Sequence, residues 1–166
     1  MVFLTEQLPL SEVFSQLAVP LGIKNSTDGS VDNAINAMVA ARHSHHTLGV
    51  DEQGHIDMLH TAGNADTHIV LRGGHHVTNY DSVSVSQAVE ALTKAKCHAR
   101  VLVDCSHANA EKKHQRQIDI ALDVAAQHRT PPDRILGIML ESFLQEGRQD
   151  NSANPASGPS TSSPCI

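Results

Sequence analysis

The chain has 166 residues, a net charge of −6 with His neutral, and only 2% aromatic residues. That length suits one domain with a real core, which must rest on Val, Ile, Leu, Ala and Met. The charge balance gives no reason to expect nucleic-acid binding, and no apolar run approaches the ~18 residues of a membrane span.

The N-terminal segment MVFLTEQLPLSEVF has no basic region before an apolar run and carries Glu6 and Glu12, which makes a poor signal peptide. The first apolar run, residues 18–23, ends at Lys24 and is followed by the turn sequence NSTDG. Val31, Ile35, Met38 and Val39 then recur at helical spacing, which predicts a helix with Thr27 or Asp28 as its N-cap. Residues 47–50 and 56–59 read as the two arms of a small excursion, with Gln53-Gly54 as the turn. The strand at 68–71 stops at Arg72-Gly73-Gly74, and Val85, Val89 and Leu92 mark the helix after it. Val101-Leu102-Val103 stops at Asp104, just before Ser106-His107-Ala108-Asn109. A long helix follows, with Ile118, Leu122 and Ala125 expected on its buried face. Residues 135–140 form the next apolar run and stop at Glu141. From Gln149 the chain is rich in Ser, Pro, Asn and Gly and reads as loop or disordered tail. The expected division is a domain over 1–149 and a tail over 150–166.

Apolar strands alternating with helical patterns predict an α/β fold of about five β/α steps, with strands buried on both faces. In such sheets the site lies at the carboxyl ends of the strands. Lys24, Arg72, His107 and Glu141 each follow a strand directly, so the pattern predicts that they meet on one rim. Lys24 and Arg72 suit phosphate or carboxylate, the first as a point charge and the second as a planar fork. Gly73 and Gly74 would let backbone approach a ligand and free more N–H groups. His107 and Glu141 could hold a divalent cation of borderline hardness, or be a hydrogen-bonded His and a capping Glu. Asp104 could orient the His107 ring or cap the next turn.

The 12 His residues are unusually many. His45-His46 and His75-His76 look like metal handles, but adjacent residues on an extended segment point apart, so surface His is the expectation. Three Cys residues without a CxxC pair argue against a disulfide framework or structural zinc and fit a reducing cytoplasm. Cys105 is expected to be a packed thiol.

Several segments resemble one family. Leu21 to Gly29, LGIKNSTDG, is similar to its GFKNGTDG segment. Thr61 to Gly74, TAGNADTHIVLRGG, is similar to TSGNGDCHIILRGG. Asp104 to Asn109, DCSHAN, resembles DFSHAN, and Met139 to Ser142 resembles MVES. The family is type I 3-deoxy-D-arabino-heptulosonate 7-phosphate (DAHP) synthase, and the resemblance runs from about Thr5 to about Gln149. It implies an incomplete (β/α)8 TIM barrel, about five of eight units, because a full one needs about 250 residues.

The implied activity is 3-deoxy-7-phosphoheptulonate synthase, a transferase that condenses phosphoenolpyruvate with erythrose 4-phosphate and water. It opens the shikimate pathway to chorismate and the aromatic amino acids. Lys24, Arg72 and Gly73 are implied at phosphoenolpyruvate, with Lys24 and Arg72 as the catalytic cations. His107 and Glu141 are implied as ligands to manganese, iron or a similar divalent metal. The family's Cys ligand and KPRT segment have no counterpart. Ser163 stands at the position of its last ligand, an Asp. Metal binding is therefore expected to be weakened, and the fragment alone to be inactive. The resemblance also implies a cytoplasmic enzyme, homo-oligomeric at full length. The other readings are a non-catalytic fragment that associates with a full-length relative, and a His-rich metal-binding module.

Overall fold

The structure is a computed structural model that describes residues 3–4, 14–50, 53–130 and 133–142. Among the described residues, seven strands and three full helices are formed, with residues 14–16 also helical. The strands are β1 (Phe3–Leu4), β2 (Leu21–Lys24), β3 (His46–Val50), β4 (Ile56–His60), β5 (Thr67–Leu71), β6 (Val101–Asp104) and β7 (Ile135–Met139). The helices are α1 (Asp32–Ala41), α2 (Ser82–Lys94) and α3 (Arg116–His128).

Five strands form one parallel sheet in the order β1-β2-β5-β6-β7. The spatial order is the chain order, so the winding never reverses. A doubly wound sheet reverses at a switch point; here one set of strand side chains packs with residues of all three helices in a single core. β3 and β4 stand apart as an antiparallel hairpin inserted between α1 and β5. The predicted turn at Gln53-Gly54 lies between its arms, with Gly54 at φ 87°.

Side chains of the strands are buried on both faces of the sheet. Leu21 and Ile23, Ile69 and Leu71, and Val101 and Val103 join the core under the helices, with Ile35, Met38, Val85, Leu92, Ile120 and Val124. Side chains alternate across a strand, so Lys24, Val70 and Asp104 lie on the other face. They are buried there as well. The expected burial on both faces is thus present in β2 and in most of β5 and β6, with Lys24 and Asp104 as charged residues on the second face, while β7, at the sheet edge, leaves Leu136 and Ile138 partly exposed.

Three local expectations are corrected. The N-cap of α1 is Val31 rather than Thr27 or Asp28, and no side chain caps it. Asp28 instead accepts from the Ser30 N–H at 2.8 Å, and the Ser30 hydroxyl meets the Asp32 N–H at 3.3 Å. The Asx turn uses the carboxylate before the helix begins. α3 turns a different face inward: Gln117, Ile120 and Val124 are buried, whereas Ile118 and Leu122 are about two-thirds exposed. On that face Ile120 and Val124 join the core and the Gln117 amide is tied into the site described below. Finally, β1 adds a strand that the sequence pattern did not mark, because two residues show no periodicity.

α2 carries a well-formed cap: Asp81 accepts from the Val83 and Ser84 N–H groups and from the Ser84 hydroxyl. Burial works against the ionised Asp81 carboxyl, but these bonds hold it below the usual range. No helix among the described residues is long and apolar enough to cross a membrane. The division at 149/150, Gln149, the tail over 150–166 and Ser163 lie outside the described residues.

Candidate functional site

Three strand ends bring four charged or ligating side chains together. Lys24 closes β2, Asp104 closes β6, His107 lies in the turn after β6, and Glu141 follows β7. The Lys24 ammonium donates to Asp104 Oδ2 at 3.0 Å and lies 4.0 Å from Glu141 Oε1. His107 Nδ1 is 2.7 Å from Asp104 Oδ2, and His107 Nε2 is 3.6 Å from Glu141 Oε1. The side chains of Lys24 and Asp104 are 7% and 0% exposed, so this pair is desolvated. Burial alone raises the Asp104 pKa; the contact and charge of His107, the Lys24 ammonium and the Ser106 N–H outweigh it and leave the carboxyl below its ordinary value.

Asp104 performs both roles expected of it. Its Oδ1 accepts from the Ser106 N–H at 2.8 Å and shapes the turn. Its Oδ2 faces His107 Nδ1, although the oxygen lies off the N–H direction and the bond is poorly aligned. With no better partner for Nδ1 among the described residues, this approach sets the ring so that Nε2 faces Glu141. His107 has φ 48° in the left-handed region, a strain of order 1–3 kcal/mol for a non-glycine residue. The strained turn aims the ring at the rim.

Glu141 is held from α3. Gln117 Oε1 accepts from the Ser106 hydroxyl at 2.7 Å and from the Glu141 N–H at 3.0 Å. Gln117 Nε2 donates to the Glu141 carbonyl at 3.0 Å. One buried amide thus fixes the backbone of both the β6 turn and the β7 end. Gln117 shares the inward face of α3 with Ile120 and Val124, and Ile118 and Leu122 face outward.

A second clasp, of three buried Asn residues, fixes the end of β5. Asn25 Oδ1 accepts from the Arg72 N–H at 2.8 Å and from Asn79 Nδ2 at 3.2 Å, and Asn25 Nδ2 donates to the Gly73 carbonyl at 2.9 Å. Asn79 Oδ1 accepts from the Gly73 N–H at 2.7 Å, and Asn109 Oδ1 from the Asn79 N–H at 2.9 Å. Asn109 Nδ2 reaches the carbonyls of Leu71 and Asp104. This network ties β2, β5 and β6 together at the rim. Arg72 lies on this strand end, half-buried, and its guanidinium has no hydrogen bond or ion pair among the described residues.

The clasp corrects the expectation for the two glycines. The N–H of Gly73 goes to Asn79 and that of Gly74 to the Val77 carbonyl, so neither is free. Gly73, at φ 75°, makes room for the neighbouring backbone: a Cβ there would sit 2.8 Å from the Asn109 nitrogen. A Cβ on Gly74 would collide with the backbone of Asp28 and Gly29. Sequence reasoning did not single out Asn25, Asn79, Asn109 or Gln117. Asn25 directly follows Lys24, and Asn109 lies two residues after His107; Asn79 and Gln117 had no local signal.

Among the described residues, Asp104, His107 and Glu141 offer ligand atoms within 4.8 Å of one another. Two donors sharing an ion at about 2.1 Å each can be at most ~4.2 Å apart. The 3.6 Å between His107 Nε2 and Glu141 Oε1 meets that limit. One nitrogen and one carboxylate oxygen suit a cation of borderline hardness. His75 and His76 are exposed and are not in this group, and Cys105 is buried with its thiol pushed up to about 12 by burial and by the Asp104 charge. An inert, packed thiol results.

These features define a parallel α/β protein that gathers Lys24, Asp104, His107 and Glu141 at the carboxyl edge of its sheet, three of them in a group that could hold a metal ion. Residues 2–162 match the model of the DAHP synthetase I family, and the chain belongs to that family. It is 42% identical over 151 residues to the tyrosine-inhibited phospho-2-dehydro-3-deoxyheptonate aldolase of Schizosaccharomyces pombe, covering 91% of this chain and 41% of the relative. It is 40% identical over 166 residues to the Tyr-sensitive phospho-2-dehydro-3-deoxyheptonate aldolase of Escherichia coli, covering 98% and 46%. The solved structure of phospho-2-dehydro-3-deoxyheptonate aldolase from Francisella tularensis superposes with a TM-score of 0.85 at 32% identity, covering 99% of this chain and 49% of that one. The chain spans about half the length of these relatives.

Proposed function

We propose that the chain supplies one half of a DAHP synthase active site, within a (β/α)8 barrel of which it provides about five strands. The observation that carries this is the meeting of Lys24, Asp104, His107 and Glu141 at one strand edge, in a chain of this family. The reaction joins the methylene carbon of phosphoenolpyruvate to the aldehyde carbon of erythrose 4-phosphate. Water adds at the enol carbon and inorganic phosphate leaves.

The side chains divide this work by charge. Arg72 presents its guanidinium fork to the phosphate or carboxylate of phosphoenolpyruvate. Lys24 adds a compact cation whose position is fixed by Asp104. Together they offset the negative charge that two phosphorylated substrates bring into one cavity. His107 and Glu141 would hold the divalent ion, with Asp104 steering the ring behind His107. When bound, that ion supplies Lewis-acid polarisation of a substrate oxygen. Gly73 contributes by letting the β5 end pack against Asn109, with its own polar atoms already used.

The test is complementation. The full chain, with manganese and both substrates, is expected to be inactive alone. It is expected to gain turnover when a second polypeptide supplies the strands of a full-length relative that it lacks. In that complex Arg72→Ala should raise KM for phosphoenolpyruvate, and His107→Ala should weaken metal dependence. Complemented turnover indifferent to both changes would overturn the proposal. A cytoplasmic, homo-oligomeric full-length enzyme belongs to the same reading.

A further inference from the structure

We propose that His46 and His60 form a surface clamp for one late first-row divalent cation, Cu2+, Ni2+ or Zn2+, separate from the rim site. The two residues are direct partners across the β3–β4 hairpin. The Thr61 N–H donates to the His45 carbonyl at 2.9 Å, which makes 45/61 the hydrogen-bonded pair and 46/60 the adjacent non-hydrogen-bonded one. In antiparallel sheets that second kind of pair brings the side chains closer. The imidazole centroids are in fact 4.1 Å apart, with the rings tilted at 57° rather than stacked flat. Both residues are exposed, so a ring flip or small χ change can turn two nitrogens toward one ion at little cost.

The neighbours sharpen the choice of ligand. His45, next in sequence, does not join: its Nε2 is 2.9 Å from the Ala40 carbonyl. Alternation places Leu48, Ile56 and Met58 on the same face as the His pair and Asp57 on the opposite one. Among the described residues of the hairpin, the clamp is therefore all nitrogen, with no carboxylate along its own face. Such a donor set favours copper, nickel or zinc and disfavours magnesium, calcium and manganese. The pair that matters is thus set by strand register rather than by adjacency in the sequence. An ion bound there bridges the two arms of the hairpin and stabilises it over any opened form.

The experiment uses the full chain carrying His107→Ala, so that the rim cannot compete for the added metal. Cu2+ is titrated at about pH 8 and followed by electron paramagnetic resonance, with Mn2+ as the comparison ion. The expected result is a Cu2+ signal with hyperfine structure from two nitrogens. His46→Ala or His60→Ala should each weaken Cu2+ binding at least about tenfold, whereas His45→Ala should leave it unchanged. Hydrogen exchange at the β3 and β4 amides should slow on adding Cu2+ and not on adding Mn2+. Copper affinity that survives both single changes, or falls equally with His45→Ala, would overturn the assignment. So would the absence of any slowing in the hairpin.

Discussion

Replacing Gln117 with Ala tests whether α3 holds Glu141, the proposed metal ligand, in place. Gln117 makes three bonds: from the Ser106 hydroxyl at 2.7 Å, from the Glu141 N–H at 3.0 Å, and to the Glu141 carbonyl at 3.0 Å. At about 1 kcal/mol net for each, their loss amounts to about 3 kcal/mol. The Glu141 N–H keeps a second acceptor, the Ser106 hydroxyl at 3.1 Å, so about 2 kcal/mol is the expected loss. Urea unfolding should show it as a lower midpoint at unchanged slope, and heating as a fall in Tm of roughly 4–8 °C. Stability alone does not separate positioning from packing. Manganese binding does, because removing a group that orients a metal ligand costs about 10–100-fold in affinity. Gln127→Ala is the control: the same residue type in the same helix, bonded to the Tyr80 carbonyl away from the site. We expect Gln117→Ala to weaken manganese binding about tenfold, and Gln127→Ala to leave it alone. Lower stability with unaltered manganese affinity would show that Gln117 only braces the scaffold and would refute the reasoning.

Three further outcomes are expected. Asp104→Asn should destabilise the chain by about 3 kcal/mol at neutral pH, because it leaves Lys24 charged and poorly compensated in a desolvated site. Asp104 has a folded pKa below its unfolded value of 3.8, so its ionisation stabilises fully above that pH and the contribution is lost as pH falls through the lowered value. The gap between the parent and Asp104→Asn should therefore narrow in acid unfolding below about pH 4, and a constant gap would contradict it. Gly73→Ala should cost about 1–3 kcal/mol through its φ of 75° and the clash with Asn109, read by urea unfolding; a neutral result would mean the β5 end can shift freely. Cys105, pushed up to about 12, should resist iodoacetamide in the folded chain at about pH 8 and react on unfolding; rapid labelling of the native protein would contradict its burial.

The strands were the most legible part of the fold. Residues 68–71 and 101–103 are apolar runs that end in charge, and they are β5 and most of β6. The hairpin was legible because Gln53-Gly54 separates two short apolar stretches. The inward face of α3 was not, since Ile118/Leu122 and Ile120/Val124 both recur at helical spacing. The buried face carries a polar residue, Gln117, whose partners lie on other elements. The rim showed the same division. Lys24, His107 and Glu141 stood out because each is a reactive side chain just past an apolar run. The ion pair between Lys24 and Asp104 joins residues 80 positions apart, and only the sheet register reveals it.

The matching of spatial order to chain order has a consequence for how this protein comes into being. Lys24 pairs beside Val70, Ile69 beside Val101, and Val101 beside Ile135, so each new strand of the parallel sheet docks on the preceding strand of that sheet, with only the β3–β4 hairpin set aside between β2 and β5. No ladder has to wait for a remote segment, which keeps loop-closure entropy low at every step. A chain emerging from the ribosome can zip up its sheet in the order of synthesis, one β/α unit at a time.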